Sequence, residues 1–188
     1  MTAYNSRYIE QKLAEIKDRK EKNSFLESIL NNQAATLLFE ENGHKTVLFP
    51  ENKGPKTNTW EYTKQMAFEL NKAGYDVAFI PESDDETCSD GLIKTGKIFR
   101  LADFKYCVTT NPNTLAKELE HGFKQASITI LKIEHMDAGS FKEAIDYLLR
   151  NEIPYGNIIL MNKYGKTVEL LKKDLKTGVY KKAIKGLL

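Results

Sequence analysis

The stretch from Glu82 to Tyr106 gathers the side chains of this sequence best suited to chemistry. An acidic run ends in Asp90-Gly91, a short apolar segment turns at Thr95-Gly96, and a second segment carries Asp103-x-Lys105. Side chains of a strand alternate between its two faces, so Asp103 and Lys105 are expected to share a face. Phe104 and Tyr106 then point the other way, into a core. A carboxylate beside an ammonium group, with Asp90 on a neighbouring strand, can hold a metal ion or steer a phosphate. An exposed ion pair on a half-buried sheet has the same pattern.

The elements that must position these residues follow from periodicity. Between residues 6 and 31, Ile9, Leu13, Ile16, Leu26, Ile29 and Leu30 recur at helical spacing around the charged run Lys17 to Lys22, which predicts one long helix or two shorter ones. Thr36–Phe39 and Thr46–Phe49 flank Asn42-Gly43, a hairpin signal because both turn residues tolerate positive φ. Pro50 to Pro55 reads as a loop that divides the chain into an N-terminal arm, 1–56, and a main domain, 57–188.

In the main domain, helices are expected near 58–73, 114–126 and 140–151. The last of these starts from the capping box Ser140-x-x-Glu143. Strands are expected near 76–80, 91–94, 97–107, 127–133 and 157–161. Asn162-Lys-Tyr-Gly165 reads as a second hairpin turn, and the basic tail from Lys172 onward as helical. The expected fold class is α+β: a central antiparallel sheet flanked by helices, with an N-terminal helix-plus-hairpin arm.

Composition narrows the function classes. The 188 residues are 41% hydrophobic and 29% charged, with a formal net charge of +2, so bulk charge does not announce nucleic-acid binding. Two cysteines, Cys88 and Cys107, are too few for a disulfide framework and fit a reducing compartment. No signal-peptide pattern opens the chain and no apolar run reaches the length of a membrane span, so a cytoplasmic protein with no membrane partner is expected. The sequence holds no GxGxxG, no GxxxxGK[ST] and no GxSxG. His44, His121 and His135 are scattered, and the cysteines lack the paired spacing of a zinc site. His135 follows a predicted strand, where catalytic groups gather, although a solvated loop has the same sequence. The lysines between Lys172 and Lys185 can contact phosphates or form a solvated helix face.

Taken in order, Gly74-Tyr-Asp-Val-Ala-Phe-Ile-Pro-Glu82, Ser89-Asp90-Gly91-Leu-Ile, Gly96-Lys-Ile-Phe, Asp103-x-Lys105, Leu119, Gln125-Ala126 and the run Ile128 to Ile133 carry a resemblance. Together they resemble the toxin nuclease domains that end contact-dependent growth inhibition proteins and some phage and mobile-element proteins, in the barnase/EndoU/colicin/RelE-like (BECR) group. The match covers roughly residues 57–171. Asp103 stands where the group usually has glutamate, and residues before Thr57 have no counterpart. The resemblance implies RNA, tRNA above all, as the substrate, cleavage without a metal or other cofactor, and an immunity protein as a partner. In that chemistry a 2′-OH attacks its own phosphodiester, which requires a base, an acid and a cation on the phosphorane. Lys105 suits the cation with Arg100 as helper, His135 an acid or base, and Asp90 or Asp103 an orienting group.

The same residues fit a PD-(D/E)xK metal-dependent nuclease. There Asp90, Asp103 and Glu69 hold Mg²⁺ while Lys105 positions the attacking water. Ser89 replaces that motif's proline. A non-catalytic phage or mobile-element protein that keeps the fold and acts by binding is the third reading.

Overall fold

The computed structural model describes residues 5–49, 59–81 and 89–187. The fold is α+β: an eight-stranded, mostly antiparallel sheet whose strands lie in chain order, flanked by helices. The chain divides into two compact units, Met1–Ala102 and Asp103–Leu188, with the boundary inside the fifth strand. The expected division at residue 56 falls inside the first unit, and the loop Pro50 to Pro55 lies outside the described residues, as does the acidic run Glu82 to Cys88.

The first unit contains α1 (Ser6–Glu15), α2 (Arg19–Leu30), β1 (Thr36–Glu41), β2 (His44–Leu48), α3 (Thr59–Lys72), β3 (Asp76–Phe79), β4 (Gly91–Thr95) and the start of β5 (Ile98–Cys107). The N-terminal helix breaks before Asp18, whose carboxylate caps α2 by accepting the Glu21 N–H at 2.9 Å. Asn42 and Gly43 take φ of 53° and 77°, the positive pair that a two-residue hairpin turn demands. β2 pairs in parallel with β3 through the α3 crossover, whereas β3–β4 and β4–β5 are antiparallel. Residues alternate accordingly along β3. Phe79 meets Trp60 of α3 at a ring separation of 4.9 Å, whereas Ala78 and Ile80 join Ile9, Leu26, Ile29 and Leu30 of the N-terminal helices in one buried cluster.

The second unit contains the end of β5, then α4 (Pro112–Gln125), β6 (Ile128–Ile133), α5 (Ala138–Arg150), β7 (Asn157–Asn162), β8 (Thr167–Leu170), α6 (Lys172–Thr177) and α7 (Tyr180–Lys185). β6 and β7 are parallel, joined by α5, and β7–β8 is an antiparallel hairpin. The sheet is therefore not antiparallel throughout. A helix long enough to recross the sheet returns the chain in parallel at both α3 and α5. Leu115 and Leu119 of α4, Phe141 and Ile145 of α5, and Tyr180 and Ile184 of α7 cover Leu131, Ile133, Ile158 and Leu160 of the strands. Asn111 caps α4 ahead of Pro112, and Asp137, not Ser140, caps α5, because its carboxylate accepts the Ser140 N–H at 2.6 Å. Among the described residues no helix is long and apolar enough to cross a membrane.

Candidate functional site

Strand alternation places Asp103, Lys105 and Cys107 on the face of β5 that α4 covers. Lys105 Nζ lies 3.2 Å from Asp103 Oδ1 and 3.1 Å from Oδ2, so one ammonium spans both carboxylate oxygens. The same Nζ donates to Gln125 Oε1 at 2.9 Å, from the last residue of α4. The Asp103 side chain is 1% exposed and that of Lys105 18%. With Phe104 and Tyr106 turned to a core, alternation predicts the pair on a solvent-accessible face. Instead Asp103 is buried under α4, and only the lysine reaches the surface. A charge held this deep requires its partner, because removing one member strands the other at a cost of roughly 3–5 kcal/mol.

α4 approaches Asp103 this closely because of Gly122. A Cβ at that position would stand 2.4 Å from Thr129 Oγ1, 2.6 Å from Thr129 Cγ2 and 3.0 Å from Asp103 Oδ2. Gly122 and Thr129 thus define the depth at which Gln125 meets Lys105. Sequence reasoning did not single out either residue. The available signal was a glycine inside a clear helical pattern, which costs about 1 kcal/mol against alanine and so implies a packing reason. Next along the face, burial pushes the Cys107 thiol up to about 11, reinforced by the Glu118 carboxylate and opposed by Lys105.

His135 belongs to another place. It is exposed just beyond β6 and lines a cleft of about 410 Å³ together with Thr110, Glu134, Asp137, Lys163 and Tyr164. Asp103, Lys105 and Gln125 do not line that cleft. Asp90 and Arg100 lie in the first unit: Asp90 half-buried immediately before β4, its carbonyl accepting the Ile80 N–H at 3.3 Å, and Arg100 opposite Ile93 in the β4–β5 register. Glu69 on α3 pairs with Lys72, one turn on, at 3.3 Å. Among the described residues no three of the His, Cys, Asp and Glu side chains are arranged to hold a metal ion. With Lys105 on both of its oxygens, Asp103 does not fit a divalent ion unless the ammonium is displaced.

No family model matches the chain, and no curated protein matches it. Among solved structures it is similar to a chain of the CdiA-CT/CdiI toxin and immunity complex from Burkholderia pseudomallei. Identity is 21% and the TM-score 0.46, with 67% of this chain and 98% of that chain covered. The likeness extends no further than those figures.

Proposed function

We propose that the chain is a metal-independent ribonuclease in which Lys105 supplies the cation for the scissile phosphate. The observation that carries this reading is the Asp103–Lys105–Gln125 arrangement: a lysine oriented by a buried carboxylate and a carboxamide, with 18% of its side chain exposed. Orientation by two fixed acceptors gives the ammonium one position, as stabilisation of a transient charge requires. In the proposed reaction the ribose 2′-oxygen bonds to phosphorus and the P–O5′ bond breaks. A base takes the 2′-OH proton and an acid protonates the departing 5′-oxygen, which leaves a 2′,3′-cyclic phosphate and a 5′-OH. The resemblance adds tRNA as the substrate and an immunity protein as the partner.

The test is incubation of the protein with total tRNA, and separately with DNA, each with and without EDTA. Cleavage of tRNA alone, unaffected by EDTA and ending in cyclic phosphate, is the expected result. Lys105→Met should lower it by about a hundredfold or more. Because that variant strands Asp103, the paired variant Asp103→Asn with Lys105→Met, which removes both charges, is measured alongside it. Loss of cleavage on EDTA addition transfers the site to the PD-(D/E)xK reading, in which the ion displaces Lys105 from Asp103. A folded wild-type protein that cleaves neither substrate leaves the binding-only reading.

A further inference from the structure

The cleft beyond β6 and β7 sits outside the carboxyl ends of two parallel strands, a place where open sheets bind ligands. Its volume, about 410 Å³, suits one nucleotide. Tyr164 at its edge is 77% exposed, yet its backbone is fixed. Asn162 Oδ1 accepts the N–H groups of Tyr164 and Lys166, both at 3.0 Å, and Asn162 Nδ2 donates to the Leu187 carbonyl at 2.7 Å. Gly165 completes the turn at φ of 80°. An exposed aromatic ring on a rigid turn is a stacking platform that loses little entropy on binding. Lys163 Nζ stands over one face of the ring at 4.9 Å, so a base stacked on Tyr164 takes the opposite face and has a cation close by.

The other wall carries carboxylates. Asp137 is committed to the Ser140 N–H at the start of α5. Glu134 is anchored through its N–H to the Cys107 carbonyl at 2.9 Å, and its Oε2 accepts the Tyr106 hydroxyl at 3.0 Å. That hydrogen bond holds one carboxylate oxygen of a residue that lines the cleft. Guanine offers two donors on its Watson–Crick edge, N1–H and the N2 amino group, whereas adenine sets an acceptor, N1, beside its amino group. A carboxylate therefore accepts guanine and repels adenine.

We infer that this cleft is a base-recognition subsite for single-stranded RNA. It holds one guanine stacked on Tyr164, with its edge on Glu134 and the adjoining phosphate against Lys163 and His135. The inference rests on RNA being the substrate, as in the proposed function.

The test uses fluorescently labelled 2′-O-methyl pentanucleotides UUGUU and UUAUU, which cannot undergo transesterification, titrated against the full-length protein. The expected result is affinity for UUGUU at least about five times that for UUAUU, the range of one good two-point base contact. Tyr164→Ala should weaken binding of both by about tenfold, and Glu134→Gln should abolish the preference, weakening UUGUU and relieving the repulsion of UUAUU. Equal affinities in the wild type, no binding to either oligonucleotide, or an unchanged Tyr164→Ala overturns the proposal. Cleavage of unmodified RNA is followed in parallel. A guanine preference without cleavage keeps the subsite and removes the ribonuclease, and cleavage without the preference does the reverse.

Discussion

Gly122→Ala puts the packing beneath the candidate site to a numerical test, because two effects of opposite sign meet at one atom. In a helix interior, alanine is favoured over glycine by about 1 kcal/mol. Here the added methyl would enter at 2.4 Å from Thr129 Oγ1 and 2.6 Å from Thr129 Cγ2, far inside van der Waals contact. Rotating the threonine does not help, since both of its γ atoms already crowd the position and its residue is fully buried. Overpacking of this kind costs typically 1–3 kcal/mol, and displacing α4 from Asp103 adds to it. The net expectation is a loss of about 1–2 kcal/mol, or a fall in Tm of roughly 2–8 °C for a chain of this size. Urea and thermal unfolding followed by circular dichroism read this directly.

Thr129→Ala supplies the control. It deletes both clashing atoms, together with a buried hydroxyl that finds no hydrogen-bond partner among the described residues. In the double variant the helix gain survives and the clash does not, so it should be more stable than Gly122→Ala alone. A coupling of at least about 1 kcal/mol is expected between the two positions. A Gly122→Ala protein as stable as the wild type, or two substitutions that simply add, would refute the claim that Gly122 sets the depth of α4. If the proposed ribonuclease reading holds, RNA cleavage should fall with the single variant and recover with the double one, because Gln125 lies one turn further along the same helix.

The other predictions concern buried groups of the second unit. Tyr180 is 1% exposed, and its phenol is pushed up to about 12 by burial first and by the Asp146 carboxylate second. Its contribution is therefore whole below pH 10, where the unfolded phenol ionises, and is lost between pH 10 and 12, by at most on the order of 2–3 kcal/mol. Tyr180→Phe should unfold at higher urea than the wild type as pH rises from 9 to 11.5, and parallel pH profiles would sink the argument. Cys107, with its thiol pushed up to about 11, should resist iodoacetamide at pH 8 until the protein unfolds. At that pH it carries about two hundred times less thiolate than an ordinary cysteine, and peptide mass mapping of the native protein should find it unmodified after an unfolded control has reacted fully.

Local pattern fixed most elements of this fold and few of its pairings. The Asn42-Gly43 turn, a strand near 97–107 and a helix near 114–126 follow from turn chemistry and apolar spacing within a dozen residues, and β5 and α4 lie within two residues of those bounds. Capping was legible to within one turn. Asp137 and Ser140 are both good cap residues, and the choice between them depends on which of the two the backbone has already turned into helix. Which strand sits beside which is a different kind of information. The parallel neighbours β2–β3 and β6–β7 arise because α3 and α5 lie back across the sheet, and no window shorter than the whole crossover contains that fact. The same limit hid the grouping of the N-terminal helices with β3 and β4. Ile29 and Ile80 are fifty-one positions apart in the numbering and belong to one buried cluster.

The site shows where the period-2 argument stops. Alternation correctly put Asp103 and Lys105 on one side of β5, and the 3.1 Å contact follows from it. Parity, however, says only that two residues share a face, not which face water reaches. Ala102, Asp103 and Phe104 are consecutive and all buried, so at this point both faces of the strand are covered and the polar-out assumption fails. What makes a buried aspartate tolerable is a lysine two residues on, long enough to bring its ammonium onto both carboxylate oxygens. Replacing Lys105 with a shorter side chain would leave the same parity and the same helix but no cation on the carboxylate. The chemistry of the position therefore lies in the length of the lysine and the thinness of Gly122 taken together, which the spacing of Asp103 and Lys105 does not contain.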